Sequence, residues 1–333
     1  MMIQDLRTLT LIDWLENDLL LTVQNCQPAS SDASFRRYFR VITPEGQFIV
    51  MDAPPEKEKL EPFIHVAKLM REAELHTPLI LSQNIADGFL LLEDFGSKNF
   101  LDSLNEHNTA TLYQAALDNI FKLQQHPLDY SLPAYDVALL TRELGIFTEW
   151  FLDQHLDLEI PAELWQNVCN ILIQSALEQP KTIVHRDFHS RNLMVLDETE
   201  LGIIDFQDAV IGAITYDLVS LLRDCYIALP IEQIHNSLNQ YHARLTQTGR
   251  INADYPQFKR WFDLMGMQRH LKAIGIFSRL NYRDDKPNYL NDIPRTLNYV
   301  IEQTANYPEF AEFHHFLTSK VLPLLESKTS LGL

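Results

Sequence analysis

The stretch IVHRDFHSRNLMVLDETELGIIDFQD, from Ile183 to Asp208, constrains the fold more than any other part of the chain. Short apolar runs, TIV, LMVL and LGII, alternate with polar loops that carry His185, Asp187, His189, Asn192 and Asp205. Apolar runs of this length between turn residues read as buried strands rather than as faces of a helix. LMVL leads out as one strand, ETE makes the turn, and LGIIDF returns with Asp205 at its end. The hairpin is expected to bring Asp205 back towards Asp187 and Asn192. His185 and His189 are four apart, but a zinc pair at that spacing needs a helix and a third ligand, and the loop offers neither.

A chain of 333 residues exceeds one core of ordinary size, so two lobes are expected. The N-terminal segment reads as an amphipathic helix with Leu6, Leu9, Ile12, Leu15 and Leu19 on one side. Ser34–Thr43 and Gln47–Ala53 read as strands joined at PEG, and Pro54 and Pro55 stop the second. A helix over Glu56–His76 and two strands around Asp87-Gly88 follow. After Gly96 helical periodicity dominates, with helices predicted over Thr109–Gln125, Asp136–His155 and Pro161–Gln179. The expected class is α+β, with a sheet-rich lobe over 1–95 and a mainly helical lobe over 96–333.

With 46% hydrophobic residues and no apolar run of membrane-spanning length, no membrane role is expected. A formal net charge of -18 opposes nucleic-acid binding. Any anionic ligand therefore needs a local cation or a metal. Cys26, Cys169 and Cys225 are odd in number and far apart, which fits a reducing cytoplasm better than a disulfide framework. The N-terminus lacks the apolar block and cleavage site of a secretory leader.

A phosphoryl transferase must position a hydroxyl, neutralise phosphate charge and hold a divalent ion with oxygen ligands. Asp187 and Asn192, five apart and preceded by a histidine, have the spacing of a kinase catalytic loop, and Asp-Phe follows after one hairpin. On these residues the chain resembles the aminoglycoside phosphotransferase family, with its two-lobe protein-kinase-like fold, from about Leu6 to Phe277. The resemblance implies ATP and Mg2+, with Asp187 as catalytic base and Asn192 and Asp205 as metal ligands. It places Glu93, Asp94 and Phe95 of LLLEDFG at the hinge that binds adenine, and gives Asp217 a structural task beneath the catalytic loop. SSDASFRRYFR, VMDAPPE and QRHLKAIGIFSRL further resemble one branch of that family. Its members phosphorylate the anomeric hydroxyl of N-acetylmuramate and N-acetylglucosamine in peptidoglycan recycling. The partners implied are ATP and a small amino sugar, handled by a cytoplasmic monomer. Candidate contacts to that sugar are His189, Arg223, Arg269 and His270, with Lys272 also near.

The chain departs from a protein kinase in three places. Ser31 and Ser34 stand where a glycine-rich loop would cover the phosphates, so serine hydroxyls or backbone amides are expected there. Met51 occupies the place of the phosphate-binding lysine, and Arg36, Arg37 or Arg40 is expected to substitute. Strand alternation sets Arg37 on the face opposite the other two. DFQ replaces DFG, removing a glycine hinge. A kinase for an aminoglycoside, choline or homoserine remains an alternative, as does a nucleotide-binding pseudokinase. A surface charge cluster is the default reading of Arg269 and His270.

Overall fold

The computed structural model describes residues 5–31 and 35–330. Helix α1 (Leu6–Asp13) opens on Asp5, whose side chain accepts from Thr8 N at 2.8 Å. Strands β1 (Asn25–Ser31), β2 (Arg37–Thr43) and β3 (Gly46–Asp52) precede α2 (Glu61–Glu72), β4 (Ile80–Asn84) and β5 (Phe89–Glu93). The short α3 (Phe100–Ser103) leads to α4 (Thr109–Gln125) and α5 (Val137–Ile146). A π-helical stretch over Phe147–His155 prolongs α5, and α6 (Ala162–Glu178) follows. Four short strands come next: β6 (Lys181–Val184), β7 (Leu193–Val195), β8 (Leu201–Ile203) and β9 (Val210–Ala213). Helices α7 (Tyr216–Leu222), α8 (Ile231–Gln247), α9 (Tyr255–Asp284) and α10 (Ile293–Ala305) lead into the final helical turns. No helix among the described residues is long and apolar enough to cross a membrane.

Two compact units divide the chain, and the first joins residues up to Thr111 with Leu193–Asp208. The expected single cut after residue 95 differs from this grouping at its end and in the returned hairpin. Within this unit β1–β5 form an antiparallel sheet in the order β1-β2-β3-β5-β4. The expected strand pair is present, closed at Thr43 opposite Gly46. Strand β1 escapes the sequence reading because Pro28 and polar residues fill it; it is an edge strand whose register shifts between Pro28 and Ser30. One sheet face packs Phe39, Val41, Val50, Phe89 and Leu91 against Leu11, Trp14 and Leu15. Leu6 and Leu9, expected on the buried side of α1, are 79% and 49% exposed. Arg7 sets the helix rotation instead, since its Nε donates to the buried Asp52 at 2.9 Å. Gly88 (φ +80) is required where the β4–β5 turn meets β3, because a Cβ there would lie 1.9 Å from the Ala53 carbonyl oxygen.

The hairpin β7–β8 belongs to this unit through bonds to its neighbours. Ile203 N donates to the His76 carbonyl at 2.8 Å, and Val195 N donates to that of Lys98 at 2.8 Å. Phe95 lies so close to β8 that a Cβ on Gly202 would stand 2.4 Å from its ring.

The second unit comprises Leu112–Asn192 and Ala209–Leu333. Its axis is α9, which packs against α5, α6, α7 and α10. The core holds Leu144, Phe147, Phe151, Leu172, Leu264, Leu271, Ile274 and Leu297. Gly275 of α9 is a close-packing position: a Cβ there would lie 2.5 Å from the Ile146 backbone.

Candidate active site

The loop His185–Asn192 leaves β6 and is held from below by two buried aspartates of the second unit. Asp217 accepts from His185 N at 2.8 Å and from Arg186 N at 3.0 Å, each through its own oxygen. Burial, the largest influence, pushes the Asp217 carboxyl up to about 7, and the two N–H donors act in the opposite direction. Asp224 accepts from Ser190 N and from Tyr226 N, both at 2.8 Å. Asp217 was expected here from the sequence; Asp224 was not. It lies past the end of α7 at Leu222, where no periodicity in the sequence marks it.

Between these braces Arg186 adopts a left-handed backbone, with φ at 79°. A non-glycine residue there is strained by about 1–3 kcal/mol. Its guanidinium binds Glu143, a buried carboxylate that also accepts from Tyr135 Oη and pairs with Lys272 Nζ at 3.1 Å. Asp187 follows directly. Its carbonyl accepts from Asn192 Nδ2 at 3.0 Å and from His189 N at 3.0 Å, which closes the loop on itself. Burial alone would raise the Asp187 carboxyl, but Lys272, His189, Arg186 and Arg269 overcome it and hold the group below its ordinary value. Asp187 is thus an anion at neutral pH, able to accept a proton from a neighbouring hydroxyl.

A cavity of about 80 Å³ opens beside it, lined by Asp187, His189, Tyr216, Tyr226, Arg269 and Lys272 among others. His189 meets the Tyr226 ring edge-on at 5.1 Å. Burial, against the pull of Asp224 and Asp187, keeps the His189 imidazole below its ordinary value and so neutral. Arg269 and His270 are 5% and 0% exposed, which overturns their default reading as a surface cluster.

Arg223 and His270, both expected at the acceptor, are turned elsewhere. Arg223 donates to the buried Asp263 at 2.7 Å and lies over the Phe262 ring. His270 Nε2 meets the Arg223 carbonyl at 2.9 Å, and its ring stacks on Tyr299. Neither lines the cavity. Of the candidate substrate residues, His189 and Arg269 do.

In the first unit, Asp205 also has a left-handed backbone (φ 64), a conformation that aspartate tolerates better than most residues. Gln207 Nε2 donates to its Oδ1 at 2.8 Å, and Phe206 packs on Phe63 of α2 at 4.8 Å between ring centres. Asn192 and Asp205 present oxygen donors, the type that magnesium takes. Among the described residues no group of three or more His, Cys, Asp or Glu is arranged to hold a metal ion.

Met51, in the place of a phosphate-binding lysine, is fully buried. The three nearby arginines differ in their commitments. Arg37 is held by Asp5 and by Asp52, its Nε donating to the latter at 2.9 Å. Arg40, expected at the nucleotide, donates to Asp94 at 2.6 and 2.8 Å and to the Gly96 carbonyl at 2.7 Å, tying β2 to the segment after β5. Arg36 pairs with Glu58, ahead of α2, at 2.9 Å. Glu93 accepts from Leu79 N at 3.2 Å, and Phe95 meets the His76 ring edge-on. Of the two candidate serines, Ser34 lies outside the described residues, and Ser31 enters only through the backbone of β1.

Residues 25–259 match the pattern of the phosphotransferase enzyme family. The chain is 46% identical to the N-acetylmuramate/N-acetylglucosamine kinase of Pseudomonas aeruginosa, across 88% of this chain and 87% of that protein. It is 38% identical to the enzyme of the same name from Neisseria meningitidis, across 95% and 96%. Among solved structures, a choline kinase from Streptococcus pneumoniae superposes with a TM-score of 0.65 at 13% identity, covering 90% of this chain and 99% of that one. An ADP-bound aminoglycoside phosphotransferase superposes at 0.59 with 14% identity, covering 88% and 98%. The fold is that of the protein-kinase-like phosphotransferases.

Proposed function

The chain belongs to the phosphotransferase enzyme family, and from that premise we propose that it transfers the γ-phosphoryl group of ATP to the anomeric hydroxyl of N-acetylmuramate and N-acetylglucosamine. The product is the sugar 1-phosphate, the form in which peptidoglycan sugars would be recycled in the cytoplasm. The observation that carries the reading is an anionic Asp187 lining a cavity with a buried cation, in a chain whose curated relatives bear the names of those two sugars.

The chemistry is positioning and electrostatics. Asp187 accepts a hydrogen bond from the sugar hydroxyl, orients it, and takes its proton as the phosphoryl group is transferred. The bonds from Asn192 Nδ2 and His189 N to the Asp187 carbonyl fix its backbone, and Asp217, accepting from His185 N and Arg186 N, keeps Arg186 in the strained turn that aims it. Asn192 and Asp205 are the residues that would hold magnesium, which supplies charge neutralisation on the ATP phosphates. Arg36 takes the role of the missing lysine, with Glu58 as its partner. Arg37 and Arg40 serve the fold of the sheet instead.

The test is ADP release from ATP and magnesium against N-acetylmuramate, N-acetylglucosamine, glucose, kanamycin, choline and homoserine, with 31P NMR of the product. Phosphate at C1 of the N-acetylated sugars supports the reading. Phosphate at another carbon, or turnover confined to the other acceptors, discards it.

A further inference from the structure

Building on the amino-sugar reading, we propose that Arg269 reads a carboxylate on the acceptor, so that the cavity beside Asp187 tells an acidic amino sugar from its neutral counterpart by charge. The cations around this cavity differ in what already neutralises them. Lys272 and Arg186 share Glu143. Arg223 is paired with Asp263. His189 is buried with its ring edge-on to Tyr226. Arg191 is half-exposed, stacked 3.7 Å over Tyr226 and 3.7 Å from Asp292. Arg269 stands apart. It is 5% exposed and lines the cavity, and it donates through Nη1 to Cys225 Sγ at 3.4 Å. Among the described residues no carboxylate lies within ion-pair distance of it.

A thiol is a weak acceptor, and burying a guanidinium beside it without an ion partner is costly. Burial works against its charge while Cys225, Tyr216, Asp224 and Asp187 favour it, and the guanidinium stays protonated. Such a group is completed by an incoming carboxylate, which the planar fork binds through two parallel N–H bonds. The volume of about 80 Å³ has room for a short acidic limb. Asp187 lines the same space, so the acid group and the reacting hydroxyl would belong to one molecule. In a chain of net charge -18, an anionic acceptor without such a cation would be repelled from the carboxylate that must activate it.

Steady-state turnover of N-acetylmuramate, its methyl ester and N-acetylglucosamine tests this with the full chain, ATP and magnesium. The unaltered protein should prefer the acid over its ester by at least about tenfold in kcat/KM. Arg269→Gln should lower kcat/KM for the acid on the order of 10²-fold, and for the ester and N-acetylglucosamine far less, so that the acid-to-ester ratio falls towards one. Arg269→Lys, a point charge in place of a fork, should give an intermediate ratio, and it carries the test if thermal unfolding shows that the Gln variant does not fold. Equal use of acid and ester by the unaltered protein overturns the proposal. So does a ratio that neither variant changes. Turnover of none of the three by the unaltered protein overturns the amino-sugar reading itself.

Discussion

Replacing Asp217 by alanine should loosen the catalytic loop by an amount that follows from two hydrogen bonds. Its oxygens are the acceptors for His185 N at 2.8 Å and Arg186 N at 3.0 Å, and His185 is fully buried. A buried donor left without an acceptor costs about 1–3 kcal/mol, so two cost about 2–6 kcal/mol. Removing a carboxylate whose burial is itself unfavourable offsets part of this and favours the lower half of that range. Arg186 would then relax from its φ of 79°, releasing about 1–3 kcal/mol of strain, and would swing the adjacent Asp187 off its aim. The assay is amide hydrogen exchange of peptides spanning residues 183–190, followed by mass spectrometry. At 1.4 kcal/mol per factor of ten, exchange should quicken by about 10-fold to 10³-fold. Over the same change kcat should fall about 10²-fold, with the KM for ATP little altered. Asp217→Asn keeps one acceptor oxygen and should lie between. Exchange within threefold of the unaltered protein in the alanine variant would refute the bracing argument, whatever happened to turnover.

Other expected outcomes are more direct. Asp187→Asn should reduce kcat by about 10²–10⁴-fold while the variant still folds, its melting temperature falling by the stability that the depressed carboxyl contributes; near-normal turnover removes Asp187 as the base. Lys272→Met takes away the largest of the influences holding the Asp187 carboxyl down, so that group should titrate at higher pH. The acid limb of kcat/KM for N-acetylglucosamine should therefore move upward. A depressed carboxyl contributes stability above its unfolded value and loses it as pH falls through the folded one, so acid unfolding of this variant should also begin at higher pH. An unmoved limb would mean that Lys272 does not set this titration. Arg36→Met should raise the KM for ATP at least about tenfold, as expected for loss of a charged hydrogen bond, and a larger rise in Arg40→Met would exchange their roles. Gly275→Ala forces a Cβ against the Ile146 backbone and should cost about 1–3 kcal/mol, read as a fall in melting temperature.

The hairpin β7–β8 was legible because strand length and turn residues are local properties. The same holds for α4, whose range is as expected, and for the strand pair β2–β3. What the sequence did not reveal depends on partners distant along the chain. Nothing local distinguishes Arg36 from Arg40, yet one meets Glu58 and the other Asp94. Helix α9 is the clearest case. It is buried on nearly every side from Trp261 to Lys272, so it has no exposed face for periodicity to find. Arg269, His270 and Lys272 then look like a surface cluster, and only the packing tells which of them faces the cavity. Glu143 was missed for a related reason: on α5 it reads as an ordinary helical glutamate, while its three partners come from 135, 186 and 272.

The return of β7 and β8 to the first unit sets an order on how this protein can be made. As the chain leaves the ribosome, β1–β5 are available early, but the carbonyls of His76 and Lys98 and the ring of Phe95 must wait for residues 193–203. About a hundred residues separate Phe95 from Gly202, some 5–20 s of synthesis. Throughout that interval the nascent sheet carries an uncovered aromatic ring and unanswered backbone acceptors, while most of α4, together with α5 and α6, emerges into a different unit. A fragment ending near residue 111 would hold the same incomplete state permanently. Slow translation through this span would favour capture by a chaperone, and separate expression of the first unit would require grafting the 193–208 segment back onto it.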